Sequence, residues 1–191
     1  IWHCKQGLEL KESESIWGDQ DRQPLFAEVS CPREVEEYDF ASVEKMDNTK
    51  LAREIAEHQD FAVCAGINSA IFHNYLDLCG QENALCFLKT DPGIARAVIK
   101  KITDFWVKYL KKVLQTGADK IDIIENCNDF GTQRSLFISK KDFRKFFRPQ
   151  LQRLYDTASA AGVMYMQHSC GSIAFLIRDP IKMGADFVKP V

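Results

Sequence analysis

The order of hydrophobic and polar positions changes character near residue 59. Residues 1–58 are polar and irregular, and their pattern predicts only a hairpin of Ile1–Lys5 with Leu25–Val29 and a short helix ending near His58. In residues 59–191, short apolar stretches alternate with amphipathic ones. We therefore expect one domain, in which an irregular first segment precedes a regular repeating portion.

The repeating portion follows one rule, in which a short apolar strand, a polar loop and a helix succeed one another. The predicted strands are Phe61–Ala65, Ala118–Glu125, Val163–Gln167 and Phe187–Pro190. The first two predicted helices are short and cover Ala70–Leu78 and Glu82–Leu88. A long helix then begins at Asp91 and Pro92 and ends at Gly117. Two further helices follow: one begins at the capping box Ser139–Asp142 and is kinked at Pro149, and the other is Ser172–Met183, which Pro180 bends or shortens. Repeated βα units require a parallel sheet with helices outside it.

Two α/β architectures fit this pattern. Only about four strands fit between Phe61 and Val191, whereas a closed eight-stranded barrel usually needs ~250 residues. The alternatives are a small doubly wound sheet or part of a larger barrel. In both, functional side chains gather at the carboxyl ends of the strands.

Composition excludes several classes of protein. A net charge of −2 over 191 residues gives no electrostatic basis for binding nucleic acid or an anionic membrane. The apolar runs are too short to span a bilayer. An odd count of seven cysteines predicts reduced thiols and a cytoplasmic location.

The sharpest chemical feature is the segment Gln167–Gly171, directly after a predicted strand. His168 and Cys170 are two residues apart, so on an extended chain their side chains point the same way. Imidazole and thiolate are preferred zinc ligands, although zinc needs three or four. The alternative is a histidine that caps the next helix above a packed cysteine.

A second polar loop follows the preceding strand. It supplies acids and amides at Glu125, Asn126, Asn128 and Asp129. These groups are hydrogen-bond acceptors and include a candidate general acid or base. The alternative is an Asx-rich turn bonded to its own backbone. Near the first strand, Asn68 and Tyr75 are weaker candidates, and Tyr75 either faces a pocket or lies in the core.

These motifs together resemble the uroporphyrinogen decarboxylase superfamily, which includes cobalamin-dependent methyltransferases. The resemblance is strongest from Thr116 to Val191. It rests on Gly117–Asp119, Asn128–Gln133, Ile138–Phe143, Arg148–Pro149, His168–Gly171 and Gly184–Asp186. It implies a TIM-type (β/α)8 barrel, present here as an incomplete portion that ends before the barrel closes.

The resemblance also implies a chemistry. Methyltransferases that act with methylated corrinoids hold zinc through a His-x-Cys pair and a later cysteine, and His168 and Cys170 resemble that pair. The later cysteine is expected beyond Val191, with Cys127 as a fallback ligand. Zinc and a corrinoid such as methylcobalamin are then the implied cofactor and co-substrate. Asp129 and Asn128 would line the pocket and orient ligands or substrate.

Two alternatives remain within the same resemblance. One is a cofactor-free uroporphyrinogen decarboxylase, in which Tyr75 would match the substrate-site tyrosine, Asn126 would replace a serine, and Asn68 would also contact substrate. The decarboxylases lack His-x-Cys-Gly, which favours the methyltransferase. The other is a non-catalytic corrinoid- or partner-binding module. The expected partners are a small-molecule substrate, a corrinoid protein and a second copy in a homodimer.

Overall fold

Five strands of the described chain form one parallel sheet in a computed structural model of the protein. The structure describes residues 2–5 (backbone only), 23–40, 42–58, 60–66 and 71–190. The strands are β1 Trp2–Lys5, β2 Val63–Gly66, β3 Ile123–Cys127, β4 Met164–Ser169 and β5 Phe187–Pro190. Each strand pairs in parallel with the next one along the chain.

The strand order decides between the two expected architectures. In space the strands run β1-β2-β3-β4-β5, the same order as in the sequence. A doubly wound sheet reverses its strand order at a switch point, whereas the strands of a (β/α) barrel always advance in one direction. The chain is therefore a partial (β/α) barrel, as the resemblance implied.

Helices connect the strands. They are α1 Pro32–Glu37, α2 Thr49–Glu57, α3 Ile71–Cys79, α4 Gln81–Phe87, α5 Pro92–Gly117, α6 Lys140–Asp142, α7 Arg148–Ala160 and α8 Arg178–Met183. Short 3-10 turns lie at Val43–Lys45 and Ala118–Lys120, and a π-helical turn lies at Phe143–Phe147. Within the described residues, none of the helices has the length and apolar content needed to cross a membrane.

The long helix α5 forms because apolar residues recur at steps of three and four. Ile94, Val98, Ile102 and Val113 follow this spacing and are all buried. Pro92 occupies the first helical position, where its missing N–H costs nothing. Burying side chains of this size stabilises the fold by about 1.5–3 kcal/mol each.

The helix that leads into α7 begins where the sequence predicts. The Ser139 hydroxyl accepts a hydrogen bond from Asp142 N at 3.1 Å, which completes the expected cap. Lys89 donates to the Asp142 carboxylate at 2.6 Å. The irregularity expected at Pro149 takes the form of the π-helical turn just before it, because proline cannot donate to the carbonyl four residues back.

The structure corrects the predicted hairpin. Trp2–Lys5 pairs in parallel with β2 instead of antiparallel with Leu25–Val29, which forms a turn. Phe26 is buried, and its backbone N–H donates to Leu78 O at the end of α3. That packing holds the segment against the helices, away from the sheet edge.

The predicted helix Ser172–Met183 is shortened, as Pro180 predicts, and its predicted start at Ser172 is wrong. Only Arg178–Met183 is helical, because Pro180 fits the first turn of a helix but not its interior. The preceding residues form turns. The helix therefore begins well after Cys170.

The loops that follow β3 and β4 are bonded to each other through their backbones. We call residues 128–139 and 170–177 the rim loops. Asn128 N donates to His168 O at 3.0 Å, at the start of the contact. Ser172 N donates to Thr132 O at 2.8 Å, further along it. The two loops therefore continue the pairing of their strands beyond the sheet.

A pair of glycines allows the rim loops to approach this closely. A Cβ on Gly131 would lie 2.7 Å from the carbonyl carbon of Gly171, and a Cβ on Gly171 would lie 2.5 Å from Gly131 O. Gly171 also has φ +80°, a conformation that favours glycine. Any side chain at either position would force the loops apart.

We expect Gly171→Ala to destabilise the protein more than Gly162→Ala. Gly162 has a similar φ of +71°, but a Cβ added there would meet none of the described atoms within 4 Å, so this variant isolates the backbone strain, about 1–2 kcal/mol. The clash at Gly171 should add about 1–3 kcal/mol. Urea unfolding of the two variants measures the difference, and equal losses would contradict the close packing.

Candidate functional site

The register of β3 and β4 determines which side chains face the barrel lumen. Cys127 pairs with His168, and Glu125 pairs with Met166. The intervening residues face the helices, since Tyr165 stacks on Tyr155 of α7 with ring centroids 4.1 Å apart. Side chains alternate with period two, so Glu125, Cys127, Met166 and His168 lie on the opposite, lumen face.

The two residues of the His-x-Cys segment point to the same place. His168 Nε2 lies 3.2 Å from Cys170 Sγ. Both residues are partly buried at the carboxyl end of β4, which is where a (β/α) barrel carries its functional groups. The structure thus places the two side chains as their spacing predicted, while their role as metal ligands stays a prediction.

Asp129 fixes the position of this segment. Its Oδ1 accepts a hydrogen bond from Cys170 N at 2.7 Å and lies 3.7 Å from His168 Nε2. Its other carboxylate oxygen lies 3.9 Å from His73 Nε2. Asp129 therefore joins the two rim loops at the point where the candidate ligands converge.

The structure adds Cys127 to the group. Ligand atoms of Cys127, Asp129 and His168 all lie within 4.8 Å of one another. Cys127 Sγ is 3.8 Å from Asp129 Oδ1. Sequence reasoning kept Cys127 only as a fallback ligand, because spacing within one strand does not show which residue lies opposite on the next.

Burial and charge keep both thiols in their neutral form. Burial, followed by the Asp129 carboxylate, raises the pKa of the Cys127 thiol to about 12. The same two causes, in the same order, raise the pKa of the Cys170 thiol. A bound cation would reverse this preference, because metal binding stabilises the thiolate. A nitrogen, two sulfurs and a carboxylate form a donor set suited to zinc.

Two residues that were predicted to line the pocket lie on the helix side of the sheet. Asn126 and Asn128 have no exposed surface. Asn128 donates to Asn126 Oδ1 at 2.9 Å and accepts from Phe72 N at 3.0 Å, so these amides connect β3 to α3. The structure does not bring them to the lumen face, and a direct role in catalysis or substrate binding stays a prediction.

Tyr75, a further candidate, is also placed away from the lumen. Tyr75 is fully buried, and its hydroxyl donates to Ala84 O at 2.7 Å. Asn68 lies outside the described residues. Sequence reasoning missed the ion pair between Lys189 and Glu125, whose atoms are 3.1 Å apart. The alternation of side chains along β5 is the signal that could have found Lys189.

An aromatic cluster holds the first rim loop in place. Phe130 stacks on Phe72 with ring centroids 4.8 Å apart and meets Phe143 edge-on at 4.9 Å. Its backbone N–H donates to Ser169 Oγ at 3.2 Å. Because Phe130 is buried next to Asp129, the carboxylate has little freedom to move.

The fold and the position of the site define a (β/α)-barrel protein with its polar groups at the carboxyl ends of β3 and β4. The family model for uroporphyrinogen decarboxylase (URO-D) matches residues 17–190. The chain therefore belongs to the uroporphyrinogen decarboxylase family.

Individual curated relatives match a shorter stretch of the chain than the family model does. A uroporphyrinogen decarboxylase of Bacillus anthracis is 27% identical over 91 residues, which cover 48% of this chain and 24% of that protein. The enzyme of Bacillus thuringiensis (strain Al Hakam) is 25% identical over a match of the same length. The chain thus matches about a quarter of the length of these curated relatives.

A solved structure of a methyltransferase from Methanosarcina mazei is similar in fold. It superposes with a TM-score of 0.63 at 15% identity, covering 86% of this chain and 46% of that chain. At this identity the similarity supports the barrel fold.

We expect Asp129→Asn to make Cys127 and Cys170 react faster with iodoacetamide in metal-free protein. The substitution removes the negative charge that raises both thiol pKa values, while its side-chain oxygen still accepts from Cys170 N. Peptide mass spectrometry over a pH series measures the rates. The exposed Cys86 is the internal control. Unchanged rates at Cys127 and Cys170 would show that the carboxylate does not govern them.

Proposed function

We propose that this protein is a zinc-dependent methyltransferase that moves a methyl group between a corrinoid and a thiol or another acceptor. The observation that carries the proposal is the contact of His168 Nε2 with Cys170 Sγ, at 3.2 Å, at the carboxyl end of a barrel strand. Two preferred zinc ligands meet there on the lumen face.

His168 and Cys170 would hold the metal in this proposal. When bound, zinc would lower the pKa of an acceptor thiol and present it as a thiolate nucleophile. Asp129 orients the ligands, because it bonds the backbone of Cys170 and lies beside the His168 ring. Ligand orientation by a neighbouring carboxylate is a usual feature of metal sites.

The rest of the lumen supports binding of a small molecule beside these ligands. Lys189 and Glu125 place a pair of opposite charges on the same face, and Met166, the partner of Glu125 on β4, adds a partly buried apolar side chain. The Methanosarcina mazei methyltransferase has a barrel of similar shape. A corrinoid protein as methyl donor and a cytoplasmic location belong to the same proposal.

We expect purified full-length protein to contain zinc, and His168→Ala and Cys170→Ser to lose both the metal and methyl transfer from methylcobalamin to a thiol. Removing a ligand should weaken zinc binding by ~100-fold or more, since even loss of an outer partner costs 10–100-fold. Elemental analysis measures the metal, and the absorbance of the corrinoid reports transfer.

Cys86→Ser is the control, because Cys86 is exposed and distant in the chain from both rim loops. Zinc-free wild-type protein, or unchanged zinc in both ligand variants, would refute the proposal. Binding of methylcobalamin without transfer would instead favour a non-catalytic corrinoid-binding module.

Decarboxylation of a tetrapyrrole is the second candidate function. The family match and the two Bacillus relatives favour it. If it is correct, full-length protein without added metal will remove carboxylate groups from uroporphyrinogen, and His168→Ala will retain that activity. Chromatography of the porphyrin products after oxidation measures the loss. No loss of carboxylate from uroporphyrinogen would eliminate this candidate.

A further inference from the structure

The proposed metal site has two ligands from one segment, whereas a zinc site needs at least three from the protein. We propose that Cys127 is the third ligand, so that β3 and β4 together supply a Cys2His site from within this chain. This inference rests on the metal of the proposed function and extends it by a residue on a different strand.

Strand register is the first support. Cys127 and His168 are direct partners in the parallel pairing of β3 and β4. Neighbouring strands lie about 4.8 Å apart, and partners on the same face project side by side. The two side chains therefore start from adjacent points and reach the same region of the lumen.

Distances are the second support. Two ligands of a tetrahedral zinc ion, with bonds of about 2.0 Å to nitrogen and 2.3 Å to sulfur, lie about 3.5 Å apart. His168 Nε2 and Cys170 Sγ, at 3.2 Å, are close to that separation. Cys127 Sγ lies within 4.8 Å of the His168 ligand atom, a separation that metal binding would shorten by about 1 Å.

The charges around the site also indicate a cation. The Asp129 carboxylate lies among two thiols and two histidines, and within the described residues it has no lysine or arginine at ion-pair distance. The neighbouring lysine, Lys189, is paired with Glu125. A positive ion held by these donors would balance the Asp129 charge.

Cys127 is a better third ligand than Asp129. The Oδ1 atom of Asp129 already accepts a hydrogen bond from Cys170 N at 2.7 Å, and thiolate is the softer donor that zinc favours. Three protein ligands leave the fourth position of a tetrahedral site for substrate, as catalytic zinc sites require. A Cys2His set therefore agrees with binding of an acceptor thiol.

The test counts sulfur ligands in the zinc-loaded full-length protein by zinc-edge X-ray absorption. Cys127→Ser and Cys170→Ser are each expected to lose one sulfur neighbour and to bind zinc ~100-fold more weakly in competition with a chelator. Cys64→Ser is the matched control, since Cys64 is a buried thiol on β2 that pairs with Ile123, further down the sheet.

A further variant guards against loss of folding. Cys127→Asp keeps an anionic donor and should retain zinc with one sulfur fewer. An unchanged sulfur count and affinity in Cys127→Ser or Cys127→Asp, with a loss in Cys170→Ser, would overturn the inference and leave the proposed function standing. If no variant loses a sulfur neighbour or zinc affinity, or if the wild-type protein binds no zinc, both the inference and the proposed function would be overturned.

Discussion

The register between β3 and β4 is the constraint on which the whole site depends. It sets Cys127 beside His168 on the lumen face and turns Asn126 and Gln167 toward the helices. A slip of one residue in either strand would exchange the two faces. Buried polar contacts on the helix side, such as Tyr155 OH to Gln167 at 3.1 Å, oppose such a slip because they would be broken.

Packing and hydrogen bonds together hold the side chains of the candidate site in place. Phe130 packs among other phenylalanines and holds Asp129, and Asp129 in turn holds the backbone of Cys170. The positions of Asp129 and Cys170 are thus determined by aromatic packing around Phe130 and by the hydrogen bond to the Cys170 backbone. A site supported in this way is preorganised, which reduces the entropy that ligand binding must overcome.

Much of the fold could be predicted from local pattern. The periodicity of α5 and the cap at Ser139 depend on neighbours along the chain, and the structure confirms both. The predicted hairpin was wrong because it depended on a distant contact, the packing of Phe26 on α3. The predicted start of the last helix was wrong because Pro180 permits only a short α8. In the site, spacing was enough to align His168 with Cys170. Spacing did not show that Asn126 and Asn128 face the helices. Ile123 and Ile124 are both buried, so the apolar pattern of β3 does not distinguish its lumen face from its helix face.

The contact between Gly131 and Gly171 has an evolutionary consequence. In most cores, a larger side chain at one position can be accommodated by a smaller one at its neighbour. Here each glycine meets the backbone of the other loop, and backbone atoms cannot be made smaller. No second substitution can therefore compensate for a first. Descendants of this protein must therefore inherit both glycines together or rebuild the entire rim.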